Sequence, residues 1–305
     1  MSLAPAPRVS VVIVSYNTRA ELLRCLESLE RHVELAVEPI VVDNASSDGS
    51  VGAVRERFPA AHVLENAANL GFGRACNLGM AMARAPYWLL LNSDAEVRPG
   101  AVESMAAMLD SRPDVGIVGP RTLNPDGTVQ VSFGPALTPL AEWWQRRLVR
   151  GVRKRRPAAL RKAAARAASE AEPGWVSGSC LLARAAAIQA AGGFDEAFFL
   201  YEEDVDLCVR VRQAGWRIVF TPTAEVVHHL GRSMDQVPDR ARIEYHRSHL
   251  RYYRKHNRRW QTALLRLYLA AAAAAGWLAA VGPGPERKAR RTLHARVLEL
   301  SRPER

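Results

Sequence analysis

The stretch LLLNSDAEV, Leu89 to Val97, decides how this chain is read. Three leucines follow Trp88 and stop at Asn92-Ser93-Asp94. A short apolar run bounded by polar turn residues reads as a strand buried on both faces. Two acids, Asp94 and Glu96, then stand two residues apart at its end. A chain that buries a strand and finishes it in carboxylates is placing them at a sheet edge, where they are available to a ligand.

Working outward, the first 120 residues alternate strand-like and helix-like segments. VSVVIVSY (Val9–Tyr16), EPIVVD (Glu38–Asp43), AHVLE, YWLLLN and VGIVGP read as strands. RAELLRCLESLERH (Arg19–His32), SVGAVRERF, GRACNLGMAMARA and GAVESMAAMLD read as helices between them. This alternation predicts an α/β fold with an open, mainly parallel sheet. Ligands of such sheets sit beyond the carboxyl ends of the strands. Three polar tips would meet there: Ser15-Tyr16-Asn17, Asp43-Asn44 and Asn92-Ser93-Asp94. Any one of them is explained as a turn or a helix cap. Three on one rim point to a binding site.

The chain has 305 residues, 48% of them hydrophobic, which is ample for one large core or for a core with an appendage. A net charge of +11 favours anionic partners: polyanions, lipid headgroups or phosphorylated substrates. The four cysteines (Cys25, Cys76, Cys180, Cys208) show no metal or disulfide spacing, so a reducing cytosolic setting is expected. No signal peptide is read at the start, because Val9–Val14 is short and runs into polar residues.

Residues 133–173 break the strand–helix rhythm. Between Arg146 and Arg166 the segment is strongly basic without one acid, after the pair Trp143-Trp144. It reads either as a mobile flap for a phosphorylated or membrane-borne acceptor, or as a solvated basic helix or a disordered insertion. Farther on, Val205 to Ala214 reads as a helix, and RIVFTP and AEVVHH as short strands. Leu267–Gly282 is apolar but shorter than the roughly 20 residues of a spanning helix, which favours a peripheral anchor or a docked helix.

Two further clusters carry chemistry. YEEDVDLC holds four acids in five positions: Glu202, Glu203, Asp204 and Asp206. Acids in a first helical turn complement the macrodipole, but crowded carboxylates also raise one another's pKa, which suits a general base. His228-His229 ends an apolar strand, where a histidine near acids and a diphosphate can ligate a metal. Asp94 and Glu96 offer the hard oxygen ligands that Mg²⁺ takes alongside substrate phosphates.

Taken in order, VSVVIVSYN, VVDNASSDGS, NLGFGRACNLGM, LLLNSDAEV, GSCLLARAAA, GGFDEAFFLYEEDVDLCVRVRQAGWRI and AEVVHHLGRS resemble the family 2 inverting glycosyltransferases, especially their bacterial rhamnosyltransferase-like branch. The resemblance covers about residues 9 to 233 and implies a GT-A fold, a Rossmann-like open mixed sheet flanked by helices, here with a helical, basic C-terminal extension. Residues 1–235 would be the catalytic domain, with 133–173 a basic flap or insertion, and 236–305 the extension. By resemblance, Ser15, Tyr16, Asn17 and Asp43 contact the donor nucleoside. Asn69, Gly71, Gly73, Arg74 and Asn77 hold nucleotide and diphosphate, joined by Asn92 and Ser93. Asp94 matches the metal-binding aspartate of the DxD signature, while Asn92 stands where many relatives carry its first aspartate. His228 completes the site for Mg²⁺ or Mn²⁺. Asp204 matches the general base and Glu203 stands beside it to orient the acceptor.

The implied reaction transfers a sugar, rhamnose from dTDP-rhamnose, to a glycan or polyprenyl-diphosphate-linked acceptor in cell-surface polysaccharide synthesis. The enzyme would be cytoplasmic and peripheral on the inner face of the plasma membrane. The same scaffold serves galactofuranose, glucose or N-acetylglucosamine donors, which remain alternatives. A nucleic-acid-binding protein is the competing class, invited by RYYRKHNRRW and the net charge. Acids at the expected rim of the sheet disfavour it, and no nucleic-acid partner is expected.

Overall fold

The computed structural model describes residues 6–229, 238–282 and 284–302. Its centre is an eight-stranded mixed sheet in the order β3-β2-β1-β4-β9-β6-β10-β5. The strands are β1 (Val9–Ser15), β2 (Val37–Asp43), β3 (His62–Glu65), β4 (Tyr87–Asn92), β5 (Ala95–Val97), β6 (Val115–Leu123), β9 (Cys180–Arg184) and β10 (Arg217–His228). β3, β2, β1 and β4 run parallel, as do β6 and β10, while β9 and β5 run antiparallel to their neighbours. β7 (Phe133–Gly134) and β8 (Trp175–Val176) form a separate antiparallel pair.

Helices cover both faces, so the central strands are apolar on both sides. Val9, Val11, Ile13, Leu89 and Leu91 face one core, with α1 (Arg19–His32) and α4 (Ala101–Ser111) over them. Val12, Trp88 and Leu90 face the other, under α3 (Phe72–Met82), α7 (Ala185–Ala190) and α8 (Glu203–Gln213). That two-sided burial is why LLL and VSVVIV are continuous runs instead of alternating ones. The short α2 (Ser50–Arg57) packs beside α1. Strand order turns back between β1 and β4, whose ends are Ser15 and Asn92. At such a switch point the flanking connections leave to opposite faces and open a crevice.

Two segments differ from their sequence reading, and the basic segment takes the helical one of its readings. RIVFTP and AEVVHH are one strand, β10, with a register irregularity between Thr221 and Glu225. There the Thr223 amide donates to Thr221 Oγ1 at 3.3 Å, so the side chain satisfies the backbone where the ladder breaks. The basic segment folds into α5 (Pro139–Arg153) and α6 (Pro157–Arg166) docked on the sheet domain. Gln145 donates to the Phe133 carbonyl (3.1 Å) and accepts from Arg166 (2.8 Å), whose guanidinium lies 4.6 Å from the Phe133 ring centre. The apolar segment at Leu267 belongs to a longer helix, α10 (Arg259–Ala279), of 21 residues.

Before α10 comes α9 (Pro238–His256), and after it α11 (Pro285–Ser301). Leu250, Tyr252 and Tyr253 of α9 and Leu265 and Leu269 of α10 pack on Phe198, Val205 and Leu137. This third core fastens the C-terminal helices to α8 and to the start of α5.

Candidate active site

A cavity of about 410 Å³ opens at the switch point. Tyr16, Asn69, Gly71, Asn92, Ser93 and Asp94 line one part of it. Glu202, Glu203, Asp204 and His228 line the rest, with Gly178, Arg240 and Glu244.

Asp94 sits in the tight turn between β4 and β5, and its buried carboxylate oxygen lies 3.1 Å from His228 Nε2. Burial opposes its charge, but the hydrogen bond and charge of His228 hold it below the usual carboxylate range. Gln130 fixes the ring from behind. Its amide nitrogen donates to the His228 carbonyl (2.6 Å), and its oxygen faces Nδ1 at 3.2 Å. A proton on Nδ1 then directs the Nε2 lone pair toward Asp94 and Asn92, whose Nδ2 is 3.3 Å away. A lone pair and a carboxylate facing each other need a proton or a cation between them. An imidazole nitrogen and a carboxylate oxygen this close together are donors that a divalent ion would take. The donor set therefore fits a divalent ion completed by phosphate oxygens and water. Among the described residues no group of three or more His, Cys, Asp or Glu side chains converges as a metal site. Glu96 is not part of this set: it accepts from His229 Nε2 at 2.8 Å, a pairing distinct from that of His228.

α8 begins at Glu203, earlier than its apolar spacing suggested, and so places Glu203 and Asp204 in its first turn. Tyr201 and Glu202 lead into it with φ of 67° and 64°. Consecutive non-glycine residues in this left-handed region are strained and persist only where surrounding contacts hold them. Asp204 accepts from the Gly178 amide (2.7 Å) and from the Val205 amide (2.8 Å). Burial and the nearby Glu202 outweigh these bonds and push its carboxyl up to about 6. Glu203 is raised well above its ordinary value by burial and by Asp204, and its Oε2 is buried without a partner. Two crowded, buried carboxyls resist ionising together, which suits Asp204 to accept a proton near neutral pH.

The remaining sequence-predicted residues divide. Gly71, at φ +84°, passes so close to Phe199 that a Cβ would sit 2.2 Å from its carbonyl oxygen. Asn69 accepts from the Gly71 amide at 3.0 Å, and Asn44 donates to the Gly71 carbonyl at 3.1 Å. Ser15, Thr18 and Ser93 form a buried hydroxyl chain joining the ends of β1 and β4. Asn17 and Asp43 shape the loop after β2: Asn17 accepts from the Ser47 amide and Asp43 from the Ser46 amide, both at 2.8 Å. The other Asp43 oxygen is buried without a partner. Ser15, Asn17 and Asp43 do not line the cavity, and neither do Gly73, Arg74 and Asn77. Gly73 packs on Phe194, Arg74 is exposed beside Glu196 (3.4 Å), and Asn77 makes paired hydrogen bonds to the Phe194 backbone.

A network behind Glu202 was not legible in the sequence. Glu202 meets His249 Nδ1 at 2.9 Å, and His249 Nε2 meets Glu142 at 3.0 Å. Tyr253 donates to the same Glu142 at 2.6 Å. A buried cation thus ties the loop before Asp204 to α5 and α9. Asp206, by contrast, serves the fold, with Arg210 and His256 both at 2.7 Å from its carboxylate. The end of the last sequence motif, residues 230–233, lies outside the described residues.

Comparison with known proteins agrees with this geometry. The model of Glycosyl transferase family 2 matches residues 10–159, and that of Glycosyl transferase family group 2 matches residues 87–281. An N-acetylglucosaminyl-diphospho-decaprenol L-rhamnosyltransferase of Mycobacterium tuberculosis is 34% identical over 276 residues, covering 84% of this chain and 87% of the relative. The chain is a family 2 glycosyltransferase. It belongs to the rhamnosyltransferase-like branch. Solved structures give this glycosyltransferase the GT-A fold. A mannosyltransferase of Pyrobaculum calidifontis, in complex with GDP-Man and Mn²⁺, aligns with TM-score 0.59 at 17% identity, over 96% of this chain and 86% of that one. S. aureus TarS 1–349 aligns with TM-score 0.54 at 15% identity, over 96% and 90%.

Proposed function

We propose that this glycosyltransferase moves rhamnose from dTDP-rhamnose to a lipid-linked diphosphate sugar by a single displacement that inverts the anomeric carbon. The observation that carries the reading is one cavity in which Asp94 and His228 stand ready for a diphosphate and Asp204 and Glu203 for an acceptor hydroxyl. The donor and acceptor classes follow from similarity to the mycobacterial rhamnosyltransferase named above.

Tyr16 and Asn69 line the donor side, and Asp43, buried with one oxygen unpartnered, would take a nucleobase N–H only once the loop after β2 opens. Asp94 and His228 would hold Mg²⁺ or Mn²⁺, which when bound supplies positive charge against the leaving diphosphate. Asp204 takes the proton of the acceptor hydroxyl as its oxygen bonds to the anomeric carbon. The bond from that carbon to the diphosphate oxygen breaks, and the electron pair leaves with the nucleoside diphosphate. Gly178 and Val205 hold the Asp204 carboxylate in place during this transfer. Glu203, beside Asp204 in the cavity wall, orients the acceptor. The reaction runs on the cytoplasmic face of the plasma membrane, with residues 1–235 as catalytic domain and 236–305 as an extension beside the acceptor.

The test is nucleoside diphosphate release from a panel of nucleotide sugars, with Mg²⁺, Mn²⁺ or EDTA, in the presence of a short-chain diphosphate-linked N-acetylglucosamine acceptor. Metal-dependent release from dTDP-rhamnose above every other donor is expected, and lost in Asp94→Ala. Preference for a UDP- or GDP-sugar would overturn the donor assignment.

A further inference from the structure

Two helices outside the catalytic cavity present apolar surface to solvent. On α5, Leu140, Trp143 and Trp144 are 69%, 53% and 54% exposed. On α10, Trp260, Leu264, Leu267 and Tyr268 are exposed as well. Their spacing of four, seven and eight residues from Trp260 puts them on one stripe of the helix. The opposite stripe, Thr262, Leu265, Leu269 and Ala273, is buried against the protein. α5 and α10 touch each other. Single exposed apolar residues are ordinary, but a run of this size across two adjoining helices marks an interaction surface.

Charge identifies what the surface fits. Between Pro139 and Arg166 the only acid is Glu142, and it is buried against His249. α10 contains no acid at all, and Arg258 and Arg259 stand exposed at its start. On α5, Arg147 lies 5.7 Å from the Trp143 ring centre, and Arg150 is exposed one turn on. Tryptophan with arginine at the edge of an apolar stripe is the chemistry of a membrane interface, where rings lie at headgroup depth and guanidinium groups meet phosphate. α10 is long and apolar enough to cross a membrane by length and composition. Its packed stripe instead sets it along a surface, with one face to the protein and one to the lipid.

We infer that α5 and α10 together dock this protein on an anionic lipid bilayer. The surface stands on its own exposure and charge. Its use, presenting a lipid-linked acceptor to Asp204, rests on the function proposed above. The link to the cavity is short. Glu142 is the residue before Trp143 and points inward to His249, whose other nitrogen holds Glu202 in the cavity wall. The lipid-facing helix and the loop that aims the catalytic base are thereby joined through one buried imidazole.

The full chain is floated with vesicles of phosphatidylcholine alone and of phosphatidylcholine with phosphatidylglycerol. Binding to the anionic vesicles is expected, weakened by salt and near background on phosphatidylcholine alone. Trp143→Ser/Trp144→Ser and Leu264→Ser/Leu267→Ser should each lower partitioning about tenfold or more. These side chains are exposed, so circular dichroism and turnover of a water-soluble acceptor should not change. Equal flotation of the variants, or equal binding to both vesicle types, would overturn the proposal. So would a vesicle-free dimer, seen by analytical ultracentrifugation, that Trp143→Ser/Trp144→Ser dissociates, since a second copy would then be the occupant. Flotation requires no catalysis. Intact flotation with no dTDP-rhamnose turnover would refute the donor assignment and leave the docking surface standing.

Discussion

His249 is held as a cation at the centre of the molecule, and this sets a pH dependence of stability. Burial alone would push the imidazole below its ordinary 6.5, but hydrogen bonds and charge from Glu142 and Glu202 raise it to about 9. A group whose folded pKa is raised contributes stability fully present below the unfolded value and lost as pH rises through the folded one. At about 1.4 kcal/mol per pH unit, the interval from 6.5 to about 9 is worth about 3 kcal/mol. That agrees with the roughly 3–5 kcal/mol lost when one partner of a buried ion pair is removed. Urea unfolding of the wild type and of His249→Leu between pH 6.5 and 10 would measure it. The wild type should lose about 3 kcal/mol more than the variant across that range, at a nearly constant slope between 6.5 and about 9 and with little further loss above it. Parallel stability curves for the two proteins would show that His249 is not protonated in the fold.

Other outcomes follow from the same geometry. Asp204→Asn should lower kcat by about 10²–10⁴-fold while leaving donor binding by calorimetry intact, as removal of a general base does. Because burial holds Asp204 near 6, wild-type kcat/KM should fall as pH drops through about 6, the rate being carried by the form present above that value. Gln130→Ala releases the His228 ring and should weaken Mn²⁺-dependent donor binding about 10–100-fold, with little change in thermal stability. Gly71→Ala forces a Cβ onto the Phe199 carbonyl at positive φ and should cost about 1–3 kcal/mol, read as a lowered melting temperature.

The sheet was legible because its strands are buried on both faces and therefore spell continuous apolar runs bounded by polar tips. The tips were legible for the same reason: Asn92-Ser93-Asp94 stands where an apolar pattern ends abruptly. β10 was read as two strands because Pro222 and the threonines around it resemble a turn, while in the fold Thr221 and Thr223 hydroxyls bridge the irregularity. Arg74 and Asn77 sit in the helix after Gly71, yet the turn of that helix directs them to Glu196 and Phe194. No local pattern announces the contact of Glu142, Glu202 and His249, because it joins three distant segments and exists only once the third core has assembled. The tryptophans of α5 stood out in the sequence, but their exposure depends on which face of the helix Glu142 and Gln145 turn inward.

One cavity brings a diphosphate site and a single base together for direct displacement. The most direct test is the anomeric configuration of the first product, read by NMR of the transferred sugar on a defined acceptor before any equilibration. The transferred sugar should carry the configuration opposite to that of the donor. A product of retained configuration would contradict direct displacement, since a single in-line attack inverts the carbon.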